Sequence, residues 1–457
     1  MEAIVAISTP PGYGGIGIIR MSGKDSFKII DKIFEPKNKS KSEIEGYKMK
    51  YGKIFDSKGK SVDEVLVTYF TSPKSFTTEN MCEINSHGGP VVVKRILELC
   101  IDNGARLAEP GEFTKLAFIN GRIDLAQAEA IIDIINSKTK KEQEASMSQL
   151  EGNLSKKINE IKSEIMEKMV DVEASIDYPE YDIEEVTKGS LREMLEKVNT
   201  KLKELESNFD NGKLIKDGLK MAIIGRPNAG KSSLLNAILN EERAIVTEYE
   251  GTTRDIIEEY IVIDGIPVKV IDTAGIRSKT EDKIEEIGIE KAKKIAKEAD
   301  LVVYIIDSSK KLEEEDKEIL KILENKKVII VLNKQDLKQE VSSETEEIKK
   351  MDKPIIKLSA LKKEGIEELY SQISKMFKLG EINIDDSVTV TNERHKETIK
   401  NMQKKAKESI DAIDNNLPID IVSIPIKQTL EELGRITGDT ASEDIINEIF
   451  KKFCLGK

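Results

Sequence analysis

The chain has 457 residues, which at roughly 150 residues per domain leads us to expect about three domains. It is 39% hydrophobic and 34% charged, with no Trp, 5% aromatic residues and a formal net charge of −12. Charge is above the usual share of roughly a quarter, yet enough apolar residues remain for real cores, which excludes global disorder. The negative balance argues against a protein that grips nucleic acid by bulk electrostatics. No apolar run approaches the roughly 18 residues of a membrane span. The opening MEAIVAISTPP has neither the basic region nor the cleavage site of a leader peptide. Three cysteines, Cys82, Cys100 and Cys454, make no disulfide framework, so a reducing, cytoplasmic location is expected. Two histidines, His87 and His395, leave little material for His-rich metal sites.

Residues 1–118 read as mixed α/β. β-rich runs at 4–7, 16–20, 64–70 and 81–84 alternate with turn clusters such as Pro10-Pro11-Gly12 and His87-Gly88-Gly89. The next stretch is helical in texture. No proline occurs between Pro110 and Pro179, and apolar residues recur in steps of three and four from Leu150 through Leu154, Ile158, Ile161, Ile165, Met169 and Val172 to Ile176. The charges on the opposite face read as solvated helix surface, and residues 191–209 continue in that style. From 217 to 379 apolar runs at 221–224, 268–271, 301–306, 328–332 and 355–358 alternate with helix-length polar segments, the rhythm of a doubly wound parallel sheet. Helical patterning returns at 394–413, 426–433 and 443–453, with Pro425 expected to start or kink one helix. The expected organisation is an N-terminal α/β domain (1–118), a helical domain in two parts (119–216 and 380–457), and an α/β domain (217–379) inserted between them.

Gly225-Arg226-Pro227-Asn228-Ala229-Gly230-Lys231-Ser232 follows an apolar strand and matches a phosphate-binding loop. Glycines let backbone N–H groups face the phosphates, Lys231 reaches the β/γ oxygens, and the Ser232 hydroxyl is the expected Mg²⁺ ligand. Ser233 extends the same turn. Three further segments choose GTP over ATP, and a fourth supplies a Mg²⁺ ligand. Asp272-Thr273-Ala274-Gly275 ends a strand where a carboxylate holds the Mg²⁺ shell and an amide senses the γ-phosphate. Asn333-Lys334-Gln335-Asp336 offers a carboxylate for guanine N1–H and N2–H, and Ser359-Ala360 closes over the base. Residues Thr247, Glu248, Tyr249, Glu250, Gly251, Thr252 and Thr253 form the loop whose Thr253 completes the Mg²⁺ shell. In this order the five segments predict a Ras-like P-loop GTPase domain.

Ile276 stands where Ras-like enzymes carry the Gln that positions water, so another group must orient water and another positive charge must act. Asn228 is either an ordinary polar loop residue or a K⁺ ligand of the kind found in cation-dependent GTPases. In the second reading Thr247, Tyr249 and Thr252 complete the K⁺ site.

Further motifs lie outside the GTPase block: Thr9-Pro10-Pro11-Gly12, the run from Gly14 to Arg20, and Glu83-Ile84-Asn85-Ser86-His87-Gly88-Gly89. Glu109-Pro110-Gly111-Glu112-Phe113-Thr114, Asp124-Leu125-Ala126-Gln127-Ala128-Glu129 and the terminal Phe453-Cys454-Leu455-Gly456-Lys457 continue the set. Over essentially its whole length the chain resembles the tRNA modification GTPase family MnmE, also called TrmE. That resemblance implies a one-carbon-folate-binding N-terminal domain that also mediates homodimerisation, a helical domain carrying the inserted GTPase domain, and the flavoprotein partner MnmG (GidA). It implies a K⁺-stimulated GTP hydrolase that adds a carboxymethylaminomethyl or aminomethyl group to C5 of the wobble uridine in certain tRNAs. The one-carbon unit would come from methylenetetrahydrofolate. Carried over by position, the folate contacts fall on Arg20, Glu83, Arg122 and Lys457, with Arg122 where the family pattern often has Lys and Tyr13 where it has Arg. The water-orienting glutamate falls on Glu285, counting back from Ile287-Gly288, with Glu286 the alternative register. Cys454 is read either as a nucleophilic thiol or as a packing and partner-contact residue. A rival reading is a ribosome-assembly or RNA-binding switch GTPase resembling Era, but no GxxG clamp of a KH domain follows Gly380. A second rival is a folate-dependent aminomethyltransferase with a regulatory GTPase domain.

Overall fold

Alternating apolar positions in the N-terminal third build a seven-stranded sheet: β1 (Ile4–Ile7), β2 (Gly14–Ser22), β3 (Phe34–Pro36), β4 (Lys48–Phe55), β5 (Ser61–Phe70), β6 (Met81–Gly88) and β7 (Arg106–Leu107). Its order is β3-β4-β5-β6-β2-β1-β7. All pairs are antiparallel except β1 with β7. The computed structural model describes residues 2–38, 47–178, 184–240, 244–247, 258–271, 288–343, 345–382 and 389–457. These fall into two compact units, Met1–Ile132 with Gln149–Leu202 and Glu397–Lys457, and Asp133–Ser148 with Lys203–Lys396.

In the first unit the period-2 pattern puts Ile19, Met21, Val65, Val67, Cys82 and Ile84 on one sheet face, in a core with Ile29, Ile30, Val93, Ile96 and Leu99 of helices Ser26–Ile33 and Pro90–Asp102. Ile4 and Ala6 pack with Phe113 and Leu116 of helix Glu112–Ile119. His87 and Gly88, expected in a turn, lie inside β6, where Gly88 pairs with Gly14. A Cβ on Gly88 would stand 2.5 Å from the Gly14 carbonyl oxygen, so this glycine marks a close approach of two backbones rather than a bend. The helical stripe forms helix Asn153–Asp177, which buries Leu154, Ile158, Ile161, Ile165, Met169 and Val172 and packs on helix Ile419–Thr437. The stripe is broken once: helix Lys140–Leu150 ends at Leu150, and Gly152 takes a left-handed φ of 83° before the next helix begins. Pro425 lies inside helix Ile419–Thr437 and does not start it. Its missing N–H removes one internal bond, while the Thr429 hydroxyl donates to its carbonyl oxygen at 3.0 Å.

The second unit holds β8 (Leu219–Ile224), β9 (Ala244–Thr247), β10 (Glu258–Ile263), β11 (Ile266–Ile271), β12 (Leu301–Asp307), β13 (Val328–Asn333) and β14 (Ile355–Lys357), ordered β14-β13-β12-β8-β11-β10-β9. β14 through β11 are parallel, and the β10 and β9 edge is antiparallel. Both faces are buried, so the central strands are continuously apolar. Met221, Ile223, Val303, Ile305, Ile329 and Val331 share one core with helices Lys231–Leu239 and Ile366–Phe377. Ala222, Ile224, Val302, Tyr304, Ile330 and Leu332 share the other with helices Gly288–Glu298 and Glu314–Leu323. This is a doubly wound α/β sheet, whose ligands bind beyond the carboxyl ends of the parallel strands. Among the described residues no helix is long and apolar enough to cross a membrane.

Candidate functional sites

β8 delivers the chain directly into the loop 225–230. A Cβ on Gly225 would lie 2.4 Å from the Ile305 carbonyl oxygen, and one on Gly230 would lie 2.1 Å from Asn333 Nδ2. Asn228 and Gly230 both have left-handed φ, 60° and 103°, which turns the intervening backbone into a concave rim. Helix Lys231–Leu239 begins immediately after, with Ser232 and Ser233 exposed in its first turn, so its N–H groups and dipole favour an anion there. Lys231 Nζ donates to the carbonyl oxygens of Gly225 at 2.6 Å and Arg226 at 2.7 Å.

Asn333, at the end of β13, is 2% exposed and ties three loops together. Its Nδ2 donates to the Ala229 carbonyl oxygen at 2.9 Å, and its Oδ1 accepts the Ala360 N–H at 3.0 Å. The Ser359 hydroxyl donates to Asp336 Oδ1 at 2.6 Å, and this bond holds the Asp336 carboxyl below its ordinary value. Asp336 therefore presents an ionised acceptor pair for two N–H donors. Lys334 (φ 64°) pairs with Asp307 at 2.6 Å. Burial alone would raise the Asp307 carboxyl, but the bonds from Lys334 and Ser309 outweigh it and leave it lowered. Thr247 closes β9 opposite Glu258. Glu248, Tyr249, Glu250, Gly251, Thr252, Thr253, Asp272, Thr273, Ala274, Gly275 and Glu285 lie outside the described residues.

In the first unit, Arg20 of β2 and Glu83 of β6 are cross-strand neighbours, joined through Nε at 2.9 Å and Nη2 at 2.8 Å. Both line a cavity of about 520 Å³ together with Arg122, Lys74, Phe76 and Asn120, a size suited to one small ligand. The Arg122 guanidinium lies 4.8 Å from the centre of the Phe76 ring, and Arg20 lies 5.6 Å from the same ring. The C-terminus reaches this place. The Gly456 carbonyl oxygen accepts from Ser8 Oγ at 3.1 Å and from Arg20 Nη1 at 3.3 Å, and the Phe113 N–H donates to the Lys457 carbonyl oxygen at 3.2 Å. Burial, then the charge of Arg20, lowers the Lys457 ammonium. A half-buried cation beside the Arg20 guanidinium is a place for a ligand carboxylate. Cys454 is exposed. Phe76, Lys74 and Asn120 were not singled out in the sequence, and no local signal marks them.

The doubly wound sheet, the glycine-shaped phosphate loop and the Asn333–Asp336 segment at the end of β13 define a P-loop GTPase. The family model described as MnmE helical domain matches residues 125–454, and the one described as GTP-binding protein TrmE N-terminus matches residues 3–122. The tRNA modification GTPase MnmE of Acetivibrio thermocellus is 48% identical over 457 residues, 100% of this chain and 99% of that protein. The protein of the same name from Clostridioides difficile strain 630 is 49% identical over 461 residues, again 100% and 99%. The solved G domain of the T. maritima FeoB iron transporter is 30% identical over 34% of this chain and 97% of its own, with a TM-score of 0.26. The chain belongs to the MnmE family of tRNA modification GTPases and is a GTP hydrolase.

Proposed function

We propose that this GTPase acts on tRNA, adding a carboxymethylaminomethyl or aminomethyl group to C5 of the wobble uridine together with the flavoprotein MnmG. The carbon is supplied by a methylenetetrahydrofolate bound to a homodimer of the chain. The observation that carries the reading is the cavity that gathers Arg20, Glu83 and Arg122, three residues that the family resemblance assigns to a folate, with the half-buried Lys457 close to Arg20. Arg20, Arg122 and Lys457 would hold the glutamate-tail carboxylates, Phe76 would stack on the ring system, and Glu83 would accept pterin N–H donors. Methylenetetrahydrofolate would supply an electrophilic one-carbon unit when bound. Cys454 is exposed on the same terminal segment, available as a thiol nucleophile.

At the GTP site, Lys231 leaves its carbonyl partners for the β/γ oxygens and Asp336 accepts from guanine. Ser232 and Thr253 would ligate Mg²⁺, and Asn228, Thr247, Tyr249 and Thr252 would ligate K⁺. Mg²⁺ neutralises phosphate charge, and K⁺ adds the counter-charge that an arginine supplies elsewhere. Ser232, exposed on the first helical turn, and Asn228, exposed on the loop rim with left-handed φ, fit these roles. Glu285 would orient the attacking water. The division 1–118, 119–216, 217–379 and 380–457 is proposed as the functional one, with a cytoplasmic location.

The test is nucleoside mass spectrometry of tRNA from a strain lacking this gene. The C5-substituted uridine should vanish and return with the unaltered gene but not with Arg20→Gln. An unchanged nucleoside profile would remove the proposal.

A further inference from the structure

Arg226 belongs to the phosphate loop, yet its side chain runs away from the loop's concave rim. Its Nη2 meets Glu313 at 2.6 Å, its Nε meets Glu315 at 3.0 Å, and its Nη1 lies 3.5 Å from Asp316. Asp316 is buried and already engaged: its Oδ1 accepts the Tyr304 hydroxyl at 2.9 Å, and its Oδ2 accepts the Glu313 N–H at 3.0 Å. Tyr304 is fully buried in β12. A continuous chain of bonds therefore runs from the central sheet through the first turn of helix Glu314–Leu323 to the second residue of the loop.

We propose that Arg226 is a positioning residue for the phosphates of the bound nucleotide. The loop is pinned at each end by a glycine in close approach, Gly225 against Ile305 and Gly230 against Asn333. Between them, Arg226 is the residue whose carbonyl oxygen receives Lys231 Nζ and whose side chain is anchored outside the loop. Its anchor fixes the tilt of the peptide units that carry the carbonyl and the neighbouring amide. Three carboxylates face one guanidinium, so removing it also leaves their negative charge unbalanced on the outer side of the loop. The same contacts hold the guanidinium on Glu313, Glu315 and Asp316, outside the loop's concave rim. The inference concerns the GTP site alone and stands or falls independently of the tRNA chemistry.

The experiment measures affinities of the full-length chain for GDP, a non-hydrolysable GTP analogue and GMP, together with steady-state hydrolysis. Arg226→Ala should weaken GDP and the analogue by about tenfold, the scale of a multidentate charge-assisted contact. GMP, which has no β-phosphate, should bind as before. KM should rise with kcat changed by less than about threefold, the pattern of lost ground-state positioning. Arg226→Lys, a point charge without the fork, should recover part of the loss. If Arg226→Ala is insoluble, Glu313→Gln combined with Glu315→Gln is read the same way. An equal loss for GMP, or unchanged GDP affinity, overturns the proposal.

Discussion

The Asn333 side chain joins the phosphate loop to the loop at Ala360, and Asn333→Ala tests that link. Two bonds disappear together, Nδ2 to the Ala229 carbonyl oxygen and the Ala360 N–H to Oδ1. Both surviving partners are backbone groups of buried residues, Ala229 at 3% and Ala360 at 5% exposed, so water replaces neither bond well. Leaving a buried donor or acceptor unmade costs about 1–3 kcal/mol each, which sums to about 2–6 kcal/mol for the pair. The alanine also leaves a space beside Gly230, where the amide now stands in van der Waals contact with the loop. Even the lower bound matters, because a change of 1.4 kcal/mol is about tenfold in an equilibrium constant. Nucleotide binding must reorder the two loops, so GDP affinity should fall by at least about tenfold and urea unfolding of the nucleotide unit should shift to lower denaturant. Titration with a fluorescent GDP reads the first effect. Hydrogen exchange at the Ala360 amide reads the second locally, and that amide should lose protection. Unchanged GDP affinity with an equally protected Ala360 amide would refute the assignment of Asn333 as the tie between the loops.

Asp336→Asn should exchange guanine for xanthine, because an amide matches the opposite pattern of ring donors and acceptors; retained preference for GTP over XTP in competition binding removes Asp336 from base recognition. GTP turnover should be markedly faster in KCl than in NaCl at equal ionic strength, and Asn228→Ala should erase the difference; equal rates in the two salts sink the K⁺ site. Glu285→Ala should lower hydrolysis by about 10²-fold with GTP affinity retained, the scale of losing one water-positioning group, and a larger effect from Glu286→Ala would move that role one residue on. Cys454→Ser should leave GTP hydrolysis near normal while tRNA modification is lost; full modification by this variant would make the thiol a packing residue.

The nucleotide loops were legible in the sequence because their physics is local. A tight turn at Gly225 and Gly230, a lysine and hydroxyl opening a helix, and an Asn and Asp three residues apart at a strand end all require fixed short spacings. The five apolar runs of the second unit were legible for a related reason, since strands buried on both faces must be continuously hydrophobic. The antiparallel strands β9 and β10 and the half-exposed β4 were not read: β9 is only four residues long, AIVT, β10 opens on two glutamates, and β4, KMKYGKIF, sets lysines between its apolar residues. His87-Gly88 misled for a physical reason: glycine serves both sharp bends and close backbone approach, and composition does not say which. The family resemblance named Arg20, Glu83, Arg122 and Lys457, but only the tertiary structure brings the C-terminal segment, 436 residues along the chain, onto Arg20. The same holds for the stacking of Arg122 on Phe76 and for the three carboxylates that hold Arg226 from 87 residues away and beyond. Such pairings are decided by which surfaces a folded sheet and its helices place side by side, and no local spacing encodes them.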